Sequence, residues 1–123
     1  MPKVLISDKL SPKAAEIFRD RGIAVDFRPG LAGDELLVAI RDVDGLAIRS
    51  ATTVTADLMD AAKNLKVVGR AGIGVDNVDV NAATQRGVVV MNTPFGNSVT
   101  TAEHAIAMMM SLARQLPAAN AST

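Results

Sequence analysis

The chain contains no cysteine, no tryptophan and no tyrosine, and its 123 residues include only three phenylalanines and one histidine. Without cysteine there is no disulfide framework and no thiolate to act as nucleophile or metal ligand. Without Trp or Tyr there is no stacking surface of the kind that grips single-stranded nucleic acid or sandwiches a flavin ring. Thirteen basic residues balance thirteen acidic ones, so no charge excess draws the chain to a phosphate backbone or an anionic membrane. The longest apolar stretch, residues 105–110, falls far short of a bilayer span. Met1-Pro2-Lys3-Val4 passes straight into a predicted strand, so no signal peptide is expected ahead of the fold. A soluble, cytoplasmic protein is the expectation.

What the chain does have is a supply of Ala, Val, Ile, Leu and Met in short runs separated by helical punctuation. Val4-Leu5-Ile6 predicts a first strand. Ser11-Pro12 then supplies an N-cap and a proline suited to the first helical position, with Ile17 and Phe18 facing inward and Gly22 ending the helix. Residues 23–27 predict strand two, and residues 34–40 a short helix that turns Leu36, Leu37 and Ile40 inward. Gly45-Leu46-Ala47-Ile48 is strand three, and Thr55 caps a helix bearing Leu58, Met59 and Ala62. Residues 65–68 predict strand four; Asp79 caps the next helix, Gly87 ends it, and Val88-Val89-Val90-Met91 is strand five. Continuous apolar strands imply burial on both faces, and helices between strands imply a parallel sheet. Residues 1–96 are therefore expected to form an α/β, flavodoxin-like, doubly wound parallel five-stranded domain of strand order 2-1-3-4-5.

Residues 97–123 read differently. Thr93-Pro94-Phe95-Gly96-Asn97 is rich in breakers, and Thr100-Thr101-Ala102-Glu103 is a capping box that opens one long interdomain helix to about Leu116. Ala105, Met108, Met109, Leu112 and Ala113 give that helix a broad apolar surface, which predicts a homo-oligomer through residues 98–116.

Ligands of doubly wound sheets sit beyond the C-terminal strand ends. Ser7-Asp8, Arg49-Ser50, residues 70–74 and residues 92–97 are predicted to lie there. The most telling run is Gly69-Arg70-Ala71-Gly72-Ile73-Gly74-Val75-Asp76-Asn77-Val78-Asp79, read as a loop opening where strand four ends. Gly72 and Gly74 allow backbone N–H groups to turn toward an anion, and Arg70 adds a planar fork of donors for carboxylate or phosphate. Asn77 stands where a third glycine would complete G-x-G-x-x-G, so the dinucleotide fingerprint fails.

Each of these residues has a plainer reading. Gly72-x-Gly74 serves equally as a strand-to-helix turn, Arg49 as a solvated strand-end arginine, and Asn97 and Ser98 as turn and cap residues. His104 has no metal-ligand partner one helical turn away and reads as structural; Met108-Met109-Met110 reads as packing, and Asp76 and Asp79 as loop and cap residues. No metal site is expected. Two other five-stranded doubly wound classes fail on chemistry. A signalling receiver needs an aspartate where Arg49 stands and a lysine after strand five, where Met91-Asn92 stand. A flavodoxin needs a hydroxyl-rich loop after strand one and aromatic side chains.

The run from Gly69 to Asp79, together with Met91-Asn92-Thr93-Pro94-Phe95-Gly96-Asn97-Ser98 leading into Thr101-Ala102-Glu103-His104-Ala105, strongly resembles the D-isomer-specific 2-hydroxyacid dehydrogenases. Adding Leu46-Ala47-Ile48-Arg49-Ser50-Ala51 narrows the likeness to members that act with NAD on a phosphorylated three-carbon acid, 3-phospho-D-glycerate. The resemblance implies that such a chain builds a substrate (lid) domain first, here 1–96, and then crosses, here over 97–123, to a nucleotide-binding domain. It implies that Arg49 and Ser50 contact the phosphorylated end of the substrate and that Arg70 lines the same cleft. It further implies that the main chain of Gly72, Ile73 and Gly74 holds the substrate carboxylate, with Ile73 beside the nicotinamide, and that Asn97 and Ser98 close the cleft at the crossing. The family's catalytic Arg, Glu and His and its G-x-G-x-x-G loop belong to positions beyond residue 123. The chain is therefore expected to be a truncated dehydrogenase that does not turn over alone, with no catalytic residue of its own. The competing expectation is a non-catalytic anion-binding or oligomerising α/β module.

Overall fold

Short aliphatic runs cannot bury both faces of a strand without helices above and below, and the chain alternates accordingly. The computed structural model describes residues 2–10, 12–31, 33–49, 51–71 and 77–92. The elements are β1 (Lys3–Ile6), α1 (Pro12–Asp20), β2 (Ala24–Phe27), α2 (Gly33–Ala39) with a 3-10 turn at Ile40–Asp42, β3 (Gly45–Ile48), α3 (Ala56–Ala61), β4 (Val67–Arg70), α4 (Val80–Gln85) and β5 (Val89–Asn92). The five strands form one sheet in the order β2-β1-β3-β4-β5, the order the sequence predicts, and every pairing is parallel.

Local chemistry sets the helix ends. Thr55 Oγ1 accepts from Leu58 N at 3.2 Å to start α3, and Asp79 Oδ1 accepts from Ala82 N at 3.0 Å to start α4. Beyond α1 and α4 the chain reverses through Gly22 and Gly87, at φ 77° and 70°. The left-handed turn lets Ile23 N reach Phe18 O at 3.0 Å and Val88 N reach Ala83 O at 2.9 Å.

Alternating side chains split the core in two. Leu5, Leu46, Val68 and Val90 lie in register across the sheet and face α2, α3 and α4. Phe27, Ile6, Ala47, Gly69 and Met91 form the opposing row. On that face Ala14, Ala15 and Phe18 of α1 close over Val4, Ile6 and Ala47.

Four expectations need correction. Strand four begins at Val67 rather than 65 and runs to Arg70, so Gly69 and Arg70 are strand residues, not loop residues. Lys66 N is taken by Asp44 O at the strand entrance, while Gly69 finds partners in Ala47 and Met91, and Arg70 in Ile48 and Asn92. Those neighbours extend the ladder past the point where local hydrophobicity stops. Strand five likewise starts at Val89 and includes Asn92. Strand two starts at Ala24, leaving Ile23 buried in the bend after α1. Finally, burial on both faces holds for β3 at all four positions but not for the edges: β2 is half-buried throughout, and Val89 is exposed. The expected interdomain helix and the 97–123 crossing lie outside the described residues.

Candidate anion-binding site

Where β1 ends, the apolar run gives way to Ser7-Asp8, and both side chains are buried, Asp8 at 2% exposure. A carboxylate taken out of water needs donors, and Asp8 finds three in the turn that follows β3. Its Oδ2 accepts from Arg49 N at 2.7 Å and from Thr52 N at 3.0 Å, and its Oδ1 accepts from the Thr52 hydroxyl at 2.5 Å. Thr52 has one hydroxyl proton, which goes to the carboxylate. The 2.8 Å contact between Ser7 Oγ and Thr52 Oγ1 is therefore donated by Ser7.

A second side chain grips the same turn from β4's side. Asn77 Nδ2 donates to Arg49 O at 2.7 Å and to Thr52 O at 2.6 Å. Two carbonyl partners fix which end of the amide carries the hydrogens. Asn77 O also accepts from Val54 N at 2.8 Å, and Asp79 N donates to Val54 O at 2.9 Å, forming an isolated parallel bridge between Val54 and Val78. Both N–H and both C=O groups of Arg49 and Thr52 are thus engaged by two side chains from two other loops.

The turn so held begins with Arg49, half-buried, whose Nη1 donates to Lys9 O at 3.1 Å. Arg70 ends β4 and pairs in register with Ile48, so the two arginines stand at the C-terminal ends of adjacent strands. Ala71 N continues that pairing by donating to Ile48 O at 2.9 Å. Guanidinium groups keep their charge and offer planar forks of donors, a chemistry suited to carboxylate and phosphate.

Of the residues singled out from sequence, the fold places Arg70 at the end of β4 and Arg49 one residue beyond the end of the neighbouring β3. Ser50, Gly72, Ile73, Gly74, Asn97, Ser98 and His104 lie outside the described residues. Sequence reasoning missed Thr52, and it read Asn77 only as a failed glycine position. It named Asp8 for its place at a strand end and not for its partners. A serine–aspartate pair closing an apolar strand was the available signal. Among the described residues no cluster of His, Cys, Asp or Glu could hold a metal ion, and no helix is long and apolar enough to cross a membrane. Asp60, on α3, lies away from this site. Arg86 Nε donates to it at 2.7 Å between α3 and α4, which holds its carboxyl below the ordinary value and raises the guanidinium in turn.

The described residues form an α/β domain with an all-parallel five-stranded sheet and an arginine at or just past the C-terminal end of each of two neighbouring strands. The family described as D-isomer specific 2-hydroxyacid dehydrogenase, catalytic domain, matches residues 4–123, and the chain belongs to that family. It is 54% identical over 120 residues to D-3-phosphoglycerate dehydrogenase of Homo sapiens, covering 98% of this chain and 22% of that protein. It is 48% identical over 120 residues to D-3-phosphoglycerate dehydrogenase of Archaeoglobus fulgidus, covering 98% and 23%. The crystal structure of NAD+-bound 3-phosphoglycerate dehydrogenase from Entamoeba histolytica superimposes with a TM-score of 0.69 at 29% identity, covering 76% of this chain and 33% of that one. The chain therefore spans less than a quarter of the length of these two sequence relatives.

Proposed function

We propose that the chain is the flavodoxin-like substrate-binding part of an NAD-dependent dehydrogenase that oxidises 3-phospho-D-glycerate to 3-phosphohydroxypyruvate, a step of serine biosynthesis. The observation that carries this reading is the pairing of Ile48 with Arg70, which sets Arg49 and Arg70 at adjacent strand ends. A substrate with a phosphate at one end and a carboxylate at the other needs two separated sets of donors. In this reading Arg49 and Ser50 take the phosphate and Arg70 lines the cleft. The main chain of Gly72, Ile73 and Gly74 takes the carboxylate, and Asn97 and Ser98 close over it. The relatives' shared name supports that choice of substrate.

The described residues do not themselves fit a dinucleotide. A pyrophosphate needs free backbone donors at a strand end, yet past β1 the buried Asp8 carboxylate adds negative charge and already takes Arg49 N and Thr52 N. NAD is assigned to the part of the dehydrogenase outside this chain, with Ile73 as its contact here. Hydride transfer and acid–base chemistry belong there too, so the chain binds without turning over. Copies associate through residues 98–116, a point that sedimentation showing only monomer at high micromolar concentration would refute.

A backbone NMR titration with 3-phosphoglycerate, with glycerate as control, tests the reading. Saturable shifts at Arg49 and Arg70 that require the phosphate are expected. Their absence in a folded sample overturns it, and turnover by the pure 123-residue chain overturns the assignment of catalysis elsewhere.

A further inference from the structure

The β3 turn is not held by the sheet. Once β3 ends at Ile48, Arg49 and Thr52 are bound by side chains from the loops after β1 and β4. Asp8 takes both amide hydrogens, and Asn77 supplies hydrogens to both carbonyls. The two residues do different jobs. Asp8 is buried at 2% exposure, and its hydroxyl relay through Thr52 to Ser7 anchors it in the interior. Asn77 is half-buried, and its side chain, at 2.6 and 2.7 Å from two carbonyls, bridges from the β4 loop to the turn carrying Arg49. Its own carbonyl binds Val54, so it engages the 49–54 segment at three points. Both amide hydrogens of the Asn77 side chain go to the Arg49 and Thr52 carbonyls.

From this geometry we propose that Asn77 is a positioning residue: it fixes the main chain of Arg49, and hence where the guanidinium meets the phosphorylated end of the substrate. This rests on the reading that Arg49 binds that phosphate. A flexible arginine must be ordered by its ligand, whereas one mounted on a clamped turn meets the ligand with less entropy left to lose. An aspartate at position 77 would match the shape but could not donate, and its charge would face two carbonyl oxygens.

The test uses the 123-residue chain and its Asn77→Ala variant, with Asn77→Ser, which keeps one short donor, read the same way if the alanine variant does not fold. The first readout needs no ligand. In Asn77→Ala, hydrogen exchange at the Arg49 and Thr52 amides is expected to quicken by about ten-fold or more relative to the amides of β1. Unchanged exchange overturns the clamp. The second readout is discrimination. Wild type is expected to bind 3-phosphoglycerate more tightly than glycerate, and the variant to lose about ten-fold in affinity for 3-phosphoglycerate while its affinity for glycerate stays within two-fold. A merely structural residue would lower the urea midpoint and leave the ratio of the two affinities untouched, which overturns the proposal. Wild type that does not discriminate, with exchange still accelerated in the variant, overturns the phosphate-binding reading and leaves the clamp standing.

Discussion

The two ends of the sheet are closed by different means. At the end where strands begin, main chain bonds to main chain from strand to strand: Asp44 N to Lys3 O and Lys66 N to Asp44 O, both at 2.8 Å, then Val89 N to Lys66 O at 2.9 Å. Side chains only supplement this, as where Asp44 Oδ2 accepts from Lys3 N at 2.9 Å and Lys3 Nζ approaches Asp42 at 3.5 Å. At the other end main-chain bonds continue, from Gly30 N and Leu31 N to Ser7 O and from Val54 N to Asn77 O, but Arg49 and Thr52 are held by the side chains of Asp8 and Asn77. Backbone closure tolerates nearly any residue type, because every residue carries the same groups. Side-chain closure demands particular residues, and it leaves the turn free to adopt a shape that no ladder would impose. The second device sits at the end that carries the arginines.

Removing one member from each end should break that comparison apart. Asp8→Ala leaves the amide hydrogens of Arg49 and Thr52 without their acceptor, while the Thr52 hydroxyl can turn to Ser7. At about 1–3 kcal/mol for each orphaned group, a loss of about 3 kcal/mol or more is expected in urea unfolding. A loss below about 1 kcal/mol would mean that water reaches the turn and the clamp is not needed for stability. Asp44→Ala at the opposite end leaves the main-chain bonds in place and removes one acceptor, so about 0.5–1.5 kcal/mol is expected, with no change in ligand affinity. The smallest effect belongs to neither end. Arg86 holds the Asp60 carboxyl low, so their pair adds stability above the ordinary carboxylate range, and that contribution disappears as the pH falls through the depressed value. Carboxyl NMR should find Asp60 titrating below its ordinary value, and Arg86→Gln should move it back up. Because both groups are exposed, the accompanying change in acid stability should be slight.

What could be read from the sequence follows the range of each interaction. Thr55 and Asp79 were legible as caps because capping spans three residues and depends on one side-chain oxygen. The bounds of β3 were legible because Gly45-Leu46-Ala47-Ile48 is uniformly apolar between polar flanks. The end of β4 was not, since Arg70 is a strand residue only by virtue of Ile48 and Asn92 beside it. Arg49 and Arg70 could each be placed at a strand end, and the predicted strand order already made those strands neighbours. The Asp8 bonds join residues 41 and 44 positions apart, and no local pattern announces them. Asn77 shows the hazard of motif reading: measured against a fingerprint it counts as a missing glycine, while in the fold it is the residue that ties two loops together.

Each strand of the sheet is only four residues long. Among the described residues β2 and β5 are its outer members, and a strand that short offers an incoming chain very few open amide and carbonyl groups to copy. The Arg28–Asp26 ion pair, at 2.8 Å, places charge on β2 as well. A chain with abundant aliphatic residues and no net charge would ordinarily invite edge-to-edge aggregation. Brevity of the strands keeps that template small.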